Sequence, residues 1–108
     1  MSAIPFVSMA NEPVGGALAI EVEIRKEKVS ALRRVGGHLE AVLSDLRALE
    51  AKLPARESLD RARFVERHRA LLAEAEQYRW YLIVQREAIG LTHHDDVFAQ
   101  YPLPPPIR

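Results

Sequence analysis

Leucine recurs at every seventh position from Leu32 through Leu39 and Leu46 to Leu53, with Val35, Val42 and Leu49 at the intervening three- and four-residue steps. A strand repeats its faces every two residues, so this spacing commits the segment to one face of a long α-helix. Pro54 ends it, because a proline moves the preceding residue away from helical angles. Beyond the proline the helical spacing resumes as Phe64, His68, Leu71, Ala75, Tyr78, Leu82 and Ile89. Two apolar stripes separated by a short break predict an all-α fold. Its two helices, about 17–53 and 58–89, form a long antiparallel hairpin with coiled-coil spacing.

Local signals set the expected boundaries. Residues 1–16 contain Pro5, Pro13, Gly15 and Gly16, which read as an irregular N-terminal arm whose Ile4, Phe6 and Val7 could pack on the core. In residues 19–25, Ile20, Val22 and Ile24 alternate with Glu21, Glu23 and Arg25, the period of a strand. Ile20 with Ile24 and Glu21 with Arg25 are also helical neighbours, and no turn divides them from the leucine seam, so one continuous helix is expected and a strand is the alternative. Ser58 is placed to cap the second helix, with Asp60 in its first turn. Gly90 supplies a left-handed stop and Leu91 the apolar contact that follows one, so the hairpin occupies 17–91. Thr92 and Asp95 resemble a capping box, which predicts a short helix within 92–100 running from His93 to about Gln100. Tyr101-Pro-Leu-Pro-Pro-Pro-Ile-Arg, residues 101–108, predicts an extended polyproline-type tail.

A turn centred near residues 55 and 56 sets Leu39 against Leu72, Val29 against Leu82 and Gly36 against Ala75. Close approach of small residues would then account for Gly36 and Gly37, each of which costs a helix about 1 kcal/mol. A kink at the two glycines is the alternative.

Fifteen basic residues balance fifteen acidic ones in this chain of 108 residues, which argues against nucleic acid as a partner. Arg56, Arg61, Arg63, Arg67 and Arg69 are interleaved with Glu57, Asp60 and Glu66, as on a solvated helix face. Cysteine is absent, which excludes disulfides and thiolate chemistry and points to a cytoplasmic protein. Met1 to Ala10 does not read as a signal peptide. The longest strongly apolar run, Trp80 to Val84, is far short of the roughly 20 residues that cross a bilayer, so no membrane partner is expected.

Tyr78, Trp80, Tyr81, Leu82, Ile83 and Val84 point in all directions about the helix axis, and a helix that is apolar all round is buried all round. One neighbouring helix covers one side only. The expected cover is a second copy, giving a homo-oligomer, a dimer above all, with a four-helix bundle core. The tail folding back and a different protein are the other candidates. The predicted partner-binding residues are Tyr78, Arg79, Trp80, Tyr81, Ile83, Arg86, Tyr101 and Leu103, because aromatic residues and arginine dominate interface hot spots. Pro102 and Pro105 satisfy P-x-x-P spacing, so the tail reads either as an exposed recognition motif or as a cap on the core.

Catalytic chemistry is not signalled. No histidine follows a glutamate at the Glu-x-x-His spacing of di-metal bundles, and the chain has no His-Glu-x-x-His, Gly-x-Ser-x-Gly or phosphate-binding glycine loop. His93, His94 and Asp96 resemble a metal cluster, but only His93 and Asp96 share a helix face, two ligands where zinc needs three or four. No metal, cofactor or catalytic residue is therefore assigned. His68, on the apolar stripe, reads as a satisfied core residue; if it were buried alone and neutral, protonation near its reference pKa of about 6.5 would disturb the packing. The expected function is a non-enzymatic interaction module, an adaptor, scaffold or regulatory subunit. The alternative is a small-ligand or metal-binding regulatory bundle, with the aromatic region lining a pocket and His93, His94 and Asp96 supplying polar groups.

Overall fold

A computed structural model describes the backbone of residues 3–108 and the side chains of residues 18–108. It contains three helices: α1 (Ala3–Ala51), α2 (Arg61–Ala88) and α3 (Asp95–Gln100). No strand occurs among the described residues, so Ile20, Val22 and Ile24 lie on a helix. The chain divides into two compact units, Met1–Ser30 and Ala31–Arg108.

Helix α1 starts at Ala3, and not near Ala17 as the breakers predicted. Pro5 falls in the first turn, where a backbone N–H has no helical acceptor and its loss is harmless. Met1, Ser2 and the side chains of Ile4, Phe6 and Val7 lie outside the described residues. The helix also runs without interruption through Gly36 and Gly37, which removes a break there.

In the unit Ala31–Arg108 the expected stripes form the core. Leu39, Val42, Leu43 and Leu46 of α1 pack with Leu71, Leu72, Ala75 and Leu82 of α2, joined by Val97 of α3 and Tyr101 of the tail. Leu39, Leu46 and Ala75 are fully inaccessible, so the two long helices meet without intervening water at these points. Side-chain contacts between them run in opposite chain directions: Glu50 bonds His68, and His38 stacks on Tyr78. The register differs from expectation by more than one helical turn, since the turn-centred alignment would have set Glu50 against Arg61 and His38 against Ala73. The connection is longer than assumed. Backbone turns Lys52 to Leu49, Leu53 to Glu50, Ser58 to Ala55 and Arg61 to Ser58 occupy the residues between the helices.

Ser58 does not cap α2. Its hydroxyl accepts the Asp60 N–H at 3.2 Å, ahead of the first turn, and Asp60 occupies the N-cap position without a side-chain cap bond. The other end follows the sequence. Gly90 has φ 93°, Gly90 N–H reaches Glu87 O at 3.0 Å and Leu91 N–H reaches Arg86 O at 3.0 Å, the paired bonds of a Schellman stop. Helix α3 starts at Asp95 with His94 at its N-cap, so Thr92 and Asp95 form no capping box.

After Tyr101 the tail has no helix or strand. It runs back along α2, because Arg79 holds the Tyr101 carbonyl at 3.2 Å while Arg61 holds the Arg108 carbonyl at 3.0 Å. The lengths agree. Tyr101 to Arg108 spans about 22 Å at 3.1 Å per residue, and Arg79 to Arg61 about 27 Å at 1.5 Å per residue, a gap that two arginine side chains close. Arg61 also donates to Pro54 O at 2.9 Å, tying the interhelical turn to the tail.

Candidate functional site

The predicted contact residues separate into two groups. Arg79, Arg86, Tyr101, Leu103 and Ile83 are engaged within the chain, whereas Trp80 and Tyr81 face outward, with Tyr78 bridging the two groups. Arg79 and Arg86 are seven residues apart, so both project from one side of α2. That side receives α3 and the tail. The Arg86 guanidinium donates to Asp96 Oδ1 at 2.9 Å, to the His93 carbonyl at 3.1 Å and to His94 Nδ1 at 3.4 Å. His94 in turn donates from Nε2 to Glu87 Oε2 at 3.3 Å. Arg79 adds a guanidinium face over the Phe98 ring at 4.8 Å to its bond with Tyr101 O.

These contacts spend the polar groups that resembled a metal cluster on fastening α3 to α2. Among the described residues no three His, Asp or Glu side chains are grouped to hold a metal ion.

Tyr101 closes the end of the core. It is buried, and its hydroxyl donates to Glu40 Oε1 at 3.3 Å. The same hydroxyl lies 3.6 Å from where a Cβ on Gly36 would stand, while Gly37 faces open space. Gly36 therefore sits beneath the tail's tyrosine and not against Ala75 as the register predicted. Burial first, then the Glu40 charge and the hydrogen bond to it, push the Tyr101 hydroxyl above the ordinary tyrosine value.

His68 is 1 % exposed, and its Nε2–H bonds to Glu50 Oε2 at 2.9 Å. It is a satisfied core histidine with a carboxylate partner, so the premise of a lone buried imidazole does not hold.

The outward residues form an aromatic row. His38 stacks on Tyr78 at 5.2 Å and 13°, Tyr78 meets Tyr81 edge-on at 6.5 Å, and Tyr81 meets Trp80 at 5.7 Å. Gln77 donates to the Tyr81 hydroxyl at 2.9 Å and fixes its far end. Trp80 is 60 % exposed, with Tyr81 and Val84 about two-fifths exposed, so within the chain this segment is not buried all round as its composition predicted. The reason is geometric: α1 takes the Leu82 side, while α3 and the tail take the Arg79 and Arg86 side. Sequence reading missed His38, Gln77 and Phe98. His38 lies one residue before Leu39 on the edge of the seam, and that edge position was the available signal.

A groove of about 490 Å³ lies between α2 and the end of the tail, lined by Val65, His68, Leu72, Glu76, Ile107 and other residues. No helix among the described residues is long and apolar enough to cross a membrane. No protein-family model matches the chain, and comparison with curated proteins and with solved structures gives no match.

Proposed function

We propose that this chain is a non-enzymatic protein–protein interaction module, built as a helical hairpin, that self-associates and holds a protein partner on the face made by Trp80, Tyr81 and Val84. One observation carries the reading: a large aromatic side chain stands 60 % exposed against the tilted ring of Tyr81, whose hydroxyl is held by a hydrogen bond from Gln77. Such a rigid aromatic surface loses little conformational entropy on docking, which is why tryptophan and tyrosine recur in hot spots. Arg79 and Arg86 act behind it by holding α3 and the tail, and Tyr101 and Leu103 serve as packing residues of the same end. The cysteine-free composition is the ground for placing the module in the cytoplasm.

A photo-crosslinking residue placed at Trp80 of the full chain tests this. A discrete adduct competed away by unlabelled wild-type protein, and absent when the same probe replaces exposed Glu74, supports the reading. Identical labelling from the two positions contradicts it.

The second reading, a small-ligand bundle, is favoured by one feature, the groove beside His68. Its lining does not include His93, His94 or Asp96. Ile107→Trp would fill that groove, so loss of binding of a small apolar acid in this variant supports the second reading.

A further inference from the structure

Part of the apolar face of α1 continues beyond the core of Ala31–Arg108, along the heptad positions of Leu39 and of Gly36. Counting back in heptad steps from Leu39, Leu32, Gly36 and Val29, the same positions hold Arg25, Val22 and Leu18. Along the core these positions are buried or half-buried, whereas Leu18, Val22 and Val29 are 53 %, 49 % and 39 % exposed. A heptad stripe of this kind is the surface on which one helix receives another.

The charges beside the stripe indicate what it receives. Glu21 and Lys28 take the heptad position that Val35, Val42 and Leu49 hold along the core, so in residues 18–29 that side of the stripe is charged. When two copies of such a helix pair antiparallel, each flank meets its own counterpart in reversed order. Glu21 then meets Lys28 of the second copy and Lys28 meets Glu21, while Leu18 lies across from Val29. Arg25 decides the direction. Parallel pairing would set Arg25 against Arg25 in the stripe, but antiparallel pairing sets it beside Val22, with Glu21 of the second copy near its guanidinium. Lys28 also interacts within its own chain, and the cross-copy pair is additional to that contact.

We infer that residues 18–29 of α1 form an antiparallel, two-fold contact with the same residues of a second copy of this chain. This rests on the self-association half of the proposed function and is independent of the Trp80 face, which it leaves free for a different partner. The overlap is about 18 Å long at 1.5 Å per residue, so it buries less than a standard interface and gives a concentration-dependent dimer.

Sedimentation equilibrium of the full chain from micromolar to millimolar concentration provides the test. A monomer–dimer equilibrium is expected, weakened at least about tenfold by Val22→Glu, which buries a charge in the stripe. Glu21→Lys or Lys28→Glu alone should weaken it about fivefold, since two attractive pairs become repulsive. The double variant Glu21→Lys with Lys28→Glu should restore it to within about twofold, and a mixture of the two single variants should form a heterodimer tighter than either single-variant homodimer and comparable to wild type. Residues 21, 22 and 28 are exposed, so unchanged far-ultraviolet circular dichroism controls for folding. A chain that stays monomeric at millimolar concentration, or a dimer indifferent to Val22→Glu, overturns the inference. A double variant that stays weak overturns the antiparallel direction. Loss of the dimer on Trp80→Ala, with Val22→Glu silent, moves self-association to the aromatic face. Loss of crosslinking at Trp80 with the dimer intact counts against the partner face alone.

Discussion

Two stretches of α1 carry the same heptad spacing and have opposite fates. Residues 32–51 lie in a unit where α2, α3 and the tail pack against them, and Leu39 and Leu46 are completely inaccessible. Residues 18–29 carry Leu18, Val22 and Val29 at equivalent positions, yet each remains substantially exposed. Spacing alone therefore makes an amphipathic helix but does not bury it. Burial requires another element at the right height, and most of an amphipathic helix's stability comes from that packing.

The strongest way to break this comparison is to truncate the same position type in both stretches. Leu46→Ala should lower unfolding stability by about 2–5 kcal/mol in denaturant titration, through lost transfer free energy and the cavity left behind. Leu18→Ala, four heptads back from Leu46 and measured on dilute protein, should change it by less than about 0.5 kcal/mol. Similar losses at both sites would mean that residues 18–29 are packed as tightly as the core.

A smaller effect tests how the core stretch is closed at its Gly36 end. The Tyr101 hydroxyl is raised above its ordinary value by burial and by Glu40, so the neutral phenol is the form that the fold favours. The stability this contributes is complete below the unfolded tyrosine value of about 10, and it is lost as pH rises through the higher folded value. Tyr101→Phe should flatten that alkaline decline in thermal melts between neutral and strongly alkaline pH. A decline of unchanged steepness would show that Tyr101 does not close the core.

The last expected effect is a small gain. Gly37 lies inside α1 with open space where its Cβ would be, so Gly37→Ala should stabilise the protein by about 0.5–1 kcal/mol. Gly36→Ala should be tolerated, because its new methyl would meet the Tyr101 hydroxyl at an ordinary 3.6 Å. A loss at Gly37 would reveal a close neighbour and bring back the role in helix approach that the expected register gave to the glycine pair.

Much of the fold was legible because it is written in local rules. The two stripes, the end of α1 near Pro54 and the left-handed stop at Gly90 follow from periodicity, from proline's geometry and from glycine's freedom at φ 93°. The register was not legible. It depends on how many residues the connection uses, and the turns between Lys52 and Arg61 use more than a tight turn would. The site was half legible: the aromatic and arginine positions stood out, but their roles differ by direction about the helix axis. Arg79 and Arg86 face α3 and the tail, whereas Trp80 faces away.

By itself the sequence determined that the chain is helical, which face of each long helix is apolar, and that the Trp80 region carries more apolar surface than one neighbouring helix can cover. Side-chain period and backbone stereochemistry are properties of neighbouring residues, so no tertiary contact is needed to read them. Only the tertiary structure decided that Tyr101 lies over Gly36, that Glu50 satisfies His68 and that Arg86 binds α3. Each of those contacts joins residues on different elements, and such pairing is fixed by how whole elements pack together.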